Sequence, residues 1–294
     1  MAVNSTYSTL LKSISPVLSN TTFSQIAHNQ GISTVVKKAK KYSQYNSDAT
    51  LATYNDFFEH LYHSMLKNYR NEYVYKNLIV NKILLGRHSL NTATCFNEFR
   101  IGKSVADLVL LNGTSVVYEI KTEYDSPERL LSQVNEYRKT FLNVVIVTHH
   151  SVVRKYESFL RENNLDKVGL IYLTSKRTLA EAIGPVEDIS ALDISYMFKC
   201  LRKKEYTKII KEYFGFLPDV PNTRIFRECL ALAKKIDPVD FHLMMFEKLK
   251  KRTIREKDQI SSPLFPHYLK HIGVCSDFKK EEIERISSFI NRKI

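Results

Sequence analysis

The chain reads as an α/β protein, a mixed sheet flanked by helices with further helical additions before and after it. Three observations predict this class. Hydrophobic periodicity switches between helical and strand spacing across residues 56–180, and two short apolar runs there, NVVIVT (143–148) and VGLIYLT (168–174), flank a helical segment as buried parallel strands would. Both ends of the chain, by contrast, carry helical spacing without a strand signal. A length of 294 residues and 44% hydrophobic content suffice for two modest domains, or for one core with additions. The boundaries read as a helical region over 1–55, an α/β core over 56–185 and a basic helical domain over 186–294.

Residues 1–50 are polar and rich in Ser and Thr; within them SQIAHNQGISTVVKKA sets Ala27 and Gly31 for a tight turn and predicts a helical hairpin. Asn55 can cap a long helix over 56–85 that Gly86 stops, with an apolar stripe of Phe58, Leu61, Met65, Tyr69, Ile79 and Ile83. Glu72 falls inside that stripe and should face inward, whereas Glu59 lies off it and reads as solvated. ATCFNEFR (93–100), SVADLVLL (104–111) and SVVYEIKTE (115–123) read as strands. Ser126 and Pro127 then start a second helix, in which Leu130, Val134, Tyr137 and Phe141 recur at helical spacing. The order is α-β-β-β-α-β-α-β. Beyond about residue 190 the pattern is helical, broken near Pro218, Pro221, Pro238 and SSPLFPH, and predicts a helical appendage.

Composition narrows the partners. No apolar run approaches the ~20 residues that span a bilayer, and the first twenty residues lack the continuous apolar stretch of a signal peptide, so the chain reads as cytosolic and soluble. Cys95, Cys200, Cys229 and Cys275 show no ligand or disulfide spacing and read as reduced thiols. The net charge of +13 points to polyanions, and residues 195–294 supply +9 of it, with 22 Lys+Arg against 13 Asp+Glu. KLKKRTIREK, with Lys250, Lys251 and Arg252 at its centre, can track phosphates or form a solvated helix face. Nucleic acid is favoured over a membrane, because no strongly amphipathic helix with a Trp/Phe/Leu face accompanies the charge.

The most apolar stretch, ADLVLLNGTSVVYEIKTE (106–123), nonetheless holds Asp107, Glu119 and Lys121. Buried charges are costly unless paired, bound to metal or used. Glu119 and Lys121 leave the same face of their strand. Asp107 joins them only if the intervening turn is odd in length: a two-residue Asn112-Gly113 loop sends Asp107 to the opposite face, whereas a three-residue Leu111-Asn112-Gly113 loop pairs Asp107 with Val117, diagonal to Glu119. Carboxylates converging with a lysine suit Mg²⁺ or Mn²⁺ and charge stabilisation at phosphorus; the plainer alternative is a buried ion pair.

In that context, Asp107 followed by Glu119-Ile120-Lys121 resembles the PD-(D/E)XK nuclease superfamily, over roughly residues 56–180. The resemblance implies a restriction-endonuclease-like αβββαβ core. It implies Asp107 and Glu119 as metal ligands with the Ile120 carbonyl beside them, Lys121 as the lysine that positions water, and Glu72 as an added first-helix acid, for which Glu98 competes. Gln133-Val134-Asn135-Glu136-Tyr137 is similar to the Q-x-x-x-Y pattern of RecB-type members, which sets both beside the site and implies Gln133 as a catalytic residue and Tyr137 as a nucleic-acid contact; the plain reading of Tyr137 is core packing. Ala106 stands where the family's short pattern has proline. Among weaker candidates, His149 and His150 read as a polar loop, and Lys176 and Arg177 as phosphate contacts or exposed charges.

The expectation is therefore a divalent-metal-dependent nuclease, requiring Mg²⁺ or Mn²⁺ and acting on nucleic acid, DNA before RNA, in a setting of restriction, defence or repair. The alternatives are a catalytically silent nucleic-acid-binding protein on the same fold and an RNA-directed nuclease. A homodimer or a protein partner accords with the resemblance; a membrane partner does not.

Overall fold

The computed structural model describes residues 5–46, 49–252 and 254–294. They form two compact units, one of Met1–Leu90 with Ile254–Ile294 and one of Asn91–Thr253. This division differs from the three consecutive segments read from the sequence, because the two ends of the chain combine.

The first unit begins with α1 (Ser5–Ile14), α2 (Asn20–Ala27) and α3 (Ile32–Tyr45). The α2–α3 turn uses Gly31 at φ +65°, where a β-carbon would come within 2.4 Å of the Gln25 side chain. The predicted long helix is two helices, α4 (Tyr54–Asn68) and α5 (Glu72–Ile79), followed by a π-helical turn (Val80–Leu84) and the short α6 (Leu85–Arg87). Thr53, not Asn55, caps α4 in a capping box with Asp56. Tyr69 is extended and Asn71 caps α5 anew, so the helical phase restarts between the two halves. Glu72 consequently leaves the stripe: it lies in the first turn of α5, 52% exposed, 2.5 Å from Lys76 Nζ.

The second unit holds a six-stranded sheet of β1 (Thr94–Ile101), β2 (Ser104–Asn112), β3 (Thr114–Ile120), β4 (Asn143–His149), β5 (Gly169–Leu173) and β6 (Leu179–Ile183), in spatial order β1-β2-β3-β4-β5-β6. β1, β2 and β3 are antiparallel, β3, β4 and β5 parallel, and β6 closes the edge antiparallel to β5. Helices α7 (Leu130–Tyr137) and α8 (Val153–Glu162) lie in the two parallel crossovers. α7 packs on the sheet through a core that joins Val109, Leu111, Val117, Val144 and Ile146 to Leu130, Val134 and Tyr137.

Helices α9 (Ile194–Lys199), α10 (Lys203–Phe214), α11 (Asn222–Ala233) and α12 (Pro238–Lys250) are not an appendage. Phe198, Ile209, Cys229, Phe241 and Met245 belong to the same apolar cluster as the strands, and His242 Nε2 lies 3.1 Å from Ser115 Oγ on β3. Burial pulls the pKa of His242 down to about 4, so it is neutral near pH 7. The chain then returns to the first unit with α13 (Lys257–Ser261), α14 (Lys270–Cys275) and α15 (Lys280–Ile290). Among the described residues no helix is long and apolar enough to cross a membrane, and the four cysteines are free thiols.

Candidate active site

The β2–β3 turn decides the geometry. Asn112 pairs with Thr114, Leu111 with Ser115 and Val109 with Val117, leaving Gly113 alone at the apex at φ +68°. The turn is odd in length, as one shared face requires, but it is centred on Gly113 rather than on Asn112. Continued by one step beyond Leu108↔Tyr118, that register sets Asp107 directly opposite Glu119 rather than diagonal to it. Both acids thus lie on the face that α7 covers.

Around Glu119, which is 2% exposed, every partner is short range. Lys121 Nζ donates to its Oε1 at 2.7 Å, Gln133 Nε2 donates to the same oxygen at 2.7 Å, and the Tyr137 hydroxyl lies 2.8 Å from Oε2. Lys121 also donates to Gln133 Oε1 at 3.0 Å, so the ammonium, the carboxylate and the amide close a triangle. Asp107 Oδ2 accepts the main-chain N–H of Ile120 at 2.7 Å. Thr148, at the end of β4, donates its hydroxyl to the Lys121 carbonyl at 2.7 Å, while Lys121 N–H donates to the Val147 carbonyl at 2.9 Å. The lysine is therefore fixed at its backbone and at its tip.

Tyr137, which the Q-x-x-x-Y resemblance offers as a nucleic-acid contact, takes the plainer place in the core. Its ring is fully buried, so no base can stack on it, and its hydroxyl bridges Glu119 and the Val105 carbonyl, 3.0 Å away. Burial, followed by the charges of Glu119 and Asp107, raises its pKa well above the phenol range, which keeps it a neutral donor. Gln133 is the polar residue on the inner face of α7, one turn before Tyr137, and its amide is 3.4 Å from that hydroxyl.

Other sequence candidates disperse. Glu72 belongs to the first unit and is engaged with Lys76. Glu98 stands in β1 between Asn97, paired with Leu108, and Phe99, paired with Ala106, so the register sets it opposite Asp107. Its backbone is left-handed, φ +54°, in an exposed position. Lys176 and Arg177 are exposed in the β5–β6 turn, at the end of the parallel strands where Lys121 and His149 also lie. Arg252 is not a free phosphate contact: its guanidinium grips both Glu205 oxygens at 2.7 and 2.6 Å and the Cys200 carbonyl at 2.9 Å. Lys251 is exposed, and Lys250 Nζ sits 5.4 Å from the centre of the Phe246 ring. Sequence reasoning missed Thr148 and the Val105 carbonyl; the one available signal was a hydroxyl closing an otherwise apolar strand.

A family model described as bacteriophage P4 protein cII matches residues 65–264, more than half of the chain. The chain belongs to the bacteriophage P4 protein cII family. No curated protein and no solved structure matches it. The cII segment takes in the whole sheet, with Asp107, Glu119, Lys121, Gln133 and Tyr137.

Proposed function

We propose that the chain is a divalent-metal-dependent nuclease that hydrolyses phosphodiester bonds, with DNA as its first substrate, on a restriction-endonuclease-like core. One arrangement carries the reading: the β2–β3 register, continued by one step, sets Asp107 across from Glu119, the charges of both act on Tyr137, and Lys121 and Gln133 converge on one Glu119 oxygen. Two carboxylates against one ammonium leave a net negative charge in a half-buried cluster, which a cation would balance. The donors fit a hard divalent ion, being oxygens throughout: Asp107, Glu119 and the Ile120 carbonyl. Magnesium or manganese, when bound, would act as Lewis acid toward the phosphodiester and acidify an attacking water.

The chain's own residues divide the remaining work. Lys121 holds an ammonium beside the acids, where it orients water and offsets negative charge developing on the phosphoryl oxygens. Gln133 fixes that ammonium, and Tyr137 fixes the Glu119 carboxylate so that its orientation is set before substrate arrives. Glu98, opposite Asp107, replaces Glu72 as the auxiliary acid. Lys176 and Arg177, at the same end of the parallel strands, are placed to hold flanking phosphates.

The test is cleavage of circular and linear DNA with Mg²⁺ or Mn²⁺ by the wild type, Glu119→Ala and Lys121→Ala. Metal-dependent cutting that both variants lose, with DNA binding retained, supports the reading. A wild type that binds but cuts neither DNA nor RNA overturns it in favour of a binding protein on the same fold.

A further inference from the structure

The first unit contains a second convergence of ligand atoms, far in sequence from the sheet. Glu59 and His63 stand one turn apart on α4, and His267 opens the 3-10 turn His267–Leu269 that precedes α14. One ligand atom from each lies within 4.8 Å of the others. We propose that Glu59, His63 and His267 bind a divalent transition-metal cation, Zn²⁺ foremost, that fastens the 254–294 segment to α4 within this unit.

The supporting geometry concerns both imidazoles. His63 Nδ1 lies 2.9 Å from the Glu59 main-chain carbonyl, an acceptor only, so Nδ1 carries the proton and Nε2 presents its lone pair outward. That is the second hydrogen bond by which metal-ligating histidines fix tautomer and ring orientation. His267 is held from behind: its carbonyl accepts the side-chain amides of Asn77 at 3.1 Å and Asn81 at 3.0 Å, and its ring packs edge-on to Tyr62, centres 5.7 Å apart. The rings of His63 and His267 are 5.3 Å apart and tilted by 55°. His60, although close in sequence, is turned away to the Tyr42 hydroxyl at 2.8 Å, so the set is three ligands.

Two imidazoles and a carboxylate are a zinc-type donor set that leaves a fourth position for water. A tetrahedral ion ~2 Å from each donor needs donors about 3.3 Å apart. Both imidazoles are exposed, so modest side-chain rotation closes that difference. Lys82 and Lys270 act electrostatically on His267, which makes the Glu59 carboxylate the charge that favours a cation. All three ligands lie outside the 65–264 segment that matches the family model.

Co²⁺ titration of the full chain, read by visible absorption, tests this. An Asp107→Asn/Glu119→Gln background removes the sheet's acids from the competition. The proposal expects intense tetrahedral Co²⁺ bands that saturate near one equivalent, persist in that background, fade on adding Zn²⁺ and vanish in His63→Gln and His267→Gln. Glu59→Gln, nearly isosteric, should weaken binding by more than the ~10–100-fold that loss of an outer-shell partner costs. No bands with the wild type, bands that survive both histidine variants, or bands lost in the Asp107→Asn/Glu119→Gln background would each overturn it. The last outcome would assign the ion to the sheet and leave the nuclease reading standing.

Discussion

The Tyr137 hydroxyl and the Glu119 carboxylate are both withdrawn from water, so their contact is a charge-assisted bond without a competing solvent partner. Tyr137→Phe keeps the ring and its packing but leaves Glu119 short of a donor. Urea unfolding should show a loss of roughly 1.5–3 kcal/mol, and, on the proposed function, metal-dependent cleavage should fall further than DNA binding does. Glu98 makes the opposite case. A left-handed backbone at a non-glycine residue costs on the order of 1–3 kcal/mol, and such strain gathers at functional sites. Glu98→Gly relieves it at an entropic cost of roughly 0.5–1 kcal/mol, so stability should hold or rise while cleavage drops; unchanged cleavage would remove Glu98 from the site. Asp107, Glu119, Lys121 and Gln133 were legible in the sequence because each is a polar group where periodicity demands an apolar one. Glu72 passed the same filter wrongly, since periodicity alone does not reveal that Asn71 restarts the helix.

Elements meet at the site through their ends. Gly102, the apex of the β1–β2 hairpin at φ +59°, faces α7 and α9 so closely that a β-carbon would lie 2.6 Å from the Tyr196 ring and 3.0 Å from Glu136 Oε1. Gly→Ala at a site alanine can adopt stabilises by about 0.4–1 kcal/mol; Gly102→Ala should instead destabilise by more than that, measured as a lower thermal midpoint. Asp188 ties the segment after β6 to the end of α7: it is 1% exposed and bound by Arg138 and Lys167, at 2.5 and 2.8 Å. Although burial works the other way, hydrogen bonds from Lys167, Ser190 and Arg138 together hold its pKa well below the ordinary 3.8. A depressed carboxyl pKa means the unfolded chain binds more protons, so this stability is present above about pH 4 and drains away as pH falls through and below that value. Asp188→Asn should cost on the order of 1.5–3 kcal/mol at pH 7, since the cations it leaves, Arg138 and Lys167, are 25% and 44% exposed and regain water, with the gap to wild type closing in unfolding experiments below pH 4. The strands β1 to β5 were legible from alternation and apolar runs. β6 was not, because LAEAI is a half-exposed edge whose residues favour helix, and its partner β5 alone makes it a strand. The turn centre was equally hidden: Asn-Gly favours a two-residue hairpin locally, and the buried face of β2 and β3 overrides it.

At the scale of the whole molecule the charge of +13 is spent unevenly, and that bears on how nucleic acid would be held. Within KLKKRTIREK three of the six basic groups are engaged in ion pairs: Lys248 with Glu212, Arg252 with Glu205 and Arg255 with Asp277. A phosphate-tracking role for the whole KLKKRTIREK run is therefore weaker than its composition implied, with Lys251 left exposed. Lys176 and Arg177 combine exposure with a place at the strand ends where the acids sit. On the proposed function, affinity for a DNA duplex should fall linearly with salt on logarithmic axes, with a slope of about −0.9 per phosphate neutralised. Lys176→Ala/Arg177→Ala should reduce that slope by about 2 without moving the thermal midpoint, because the turn's ladder is made by Thr174 and Thr178. Arg252→Ala should do the reverse, leaving the slope within error while lowering stability, because the half-buried Glu205 carboxylate and the Cys200 carbonyl both lose its guanidinium. A slope change with Arg252→Ala and none with the Lys176/Arg177 pair would move the binding surface to the end of α12 and away from the strand ends that carry Lys121.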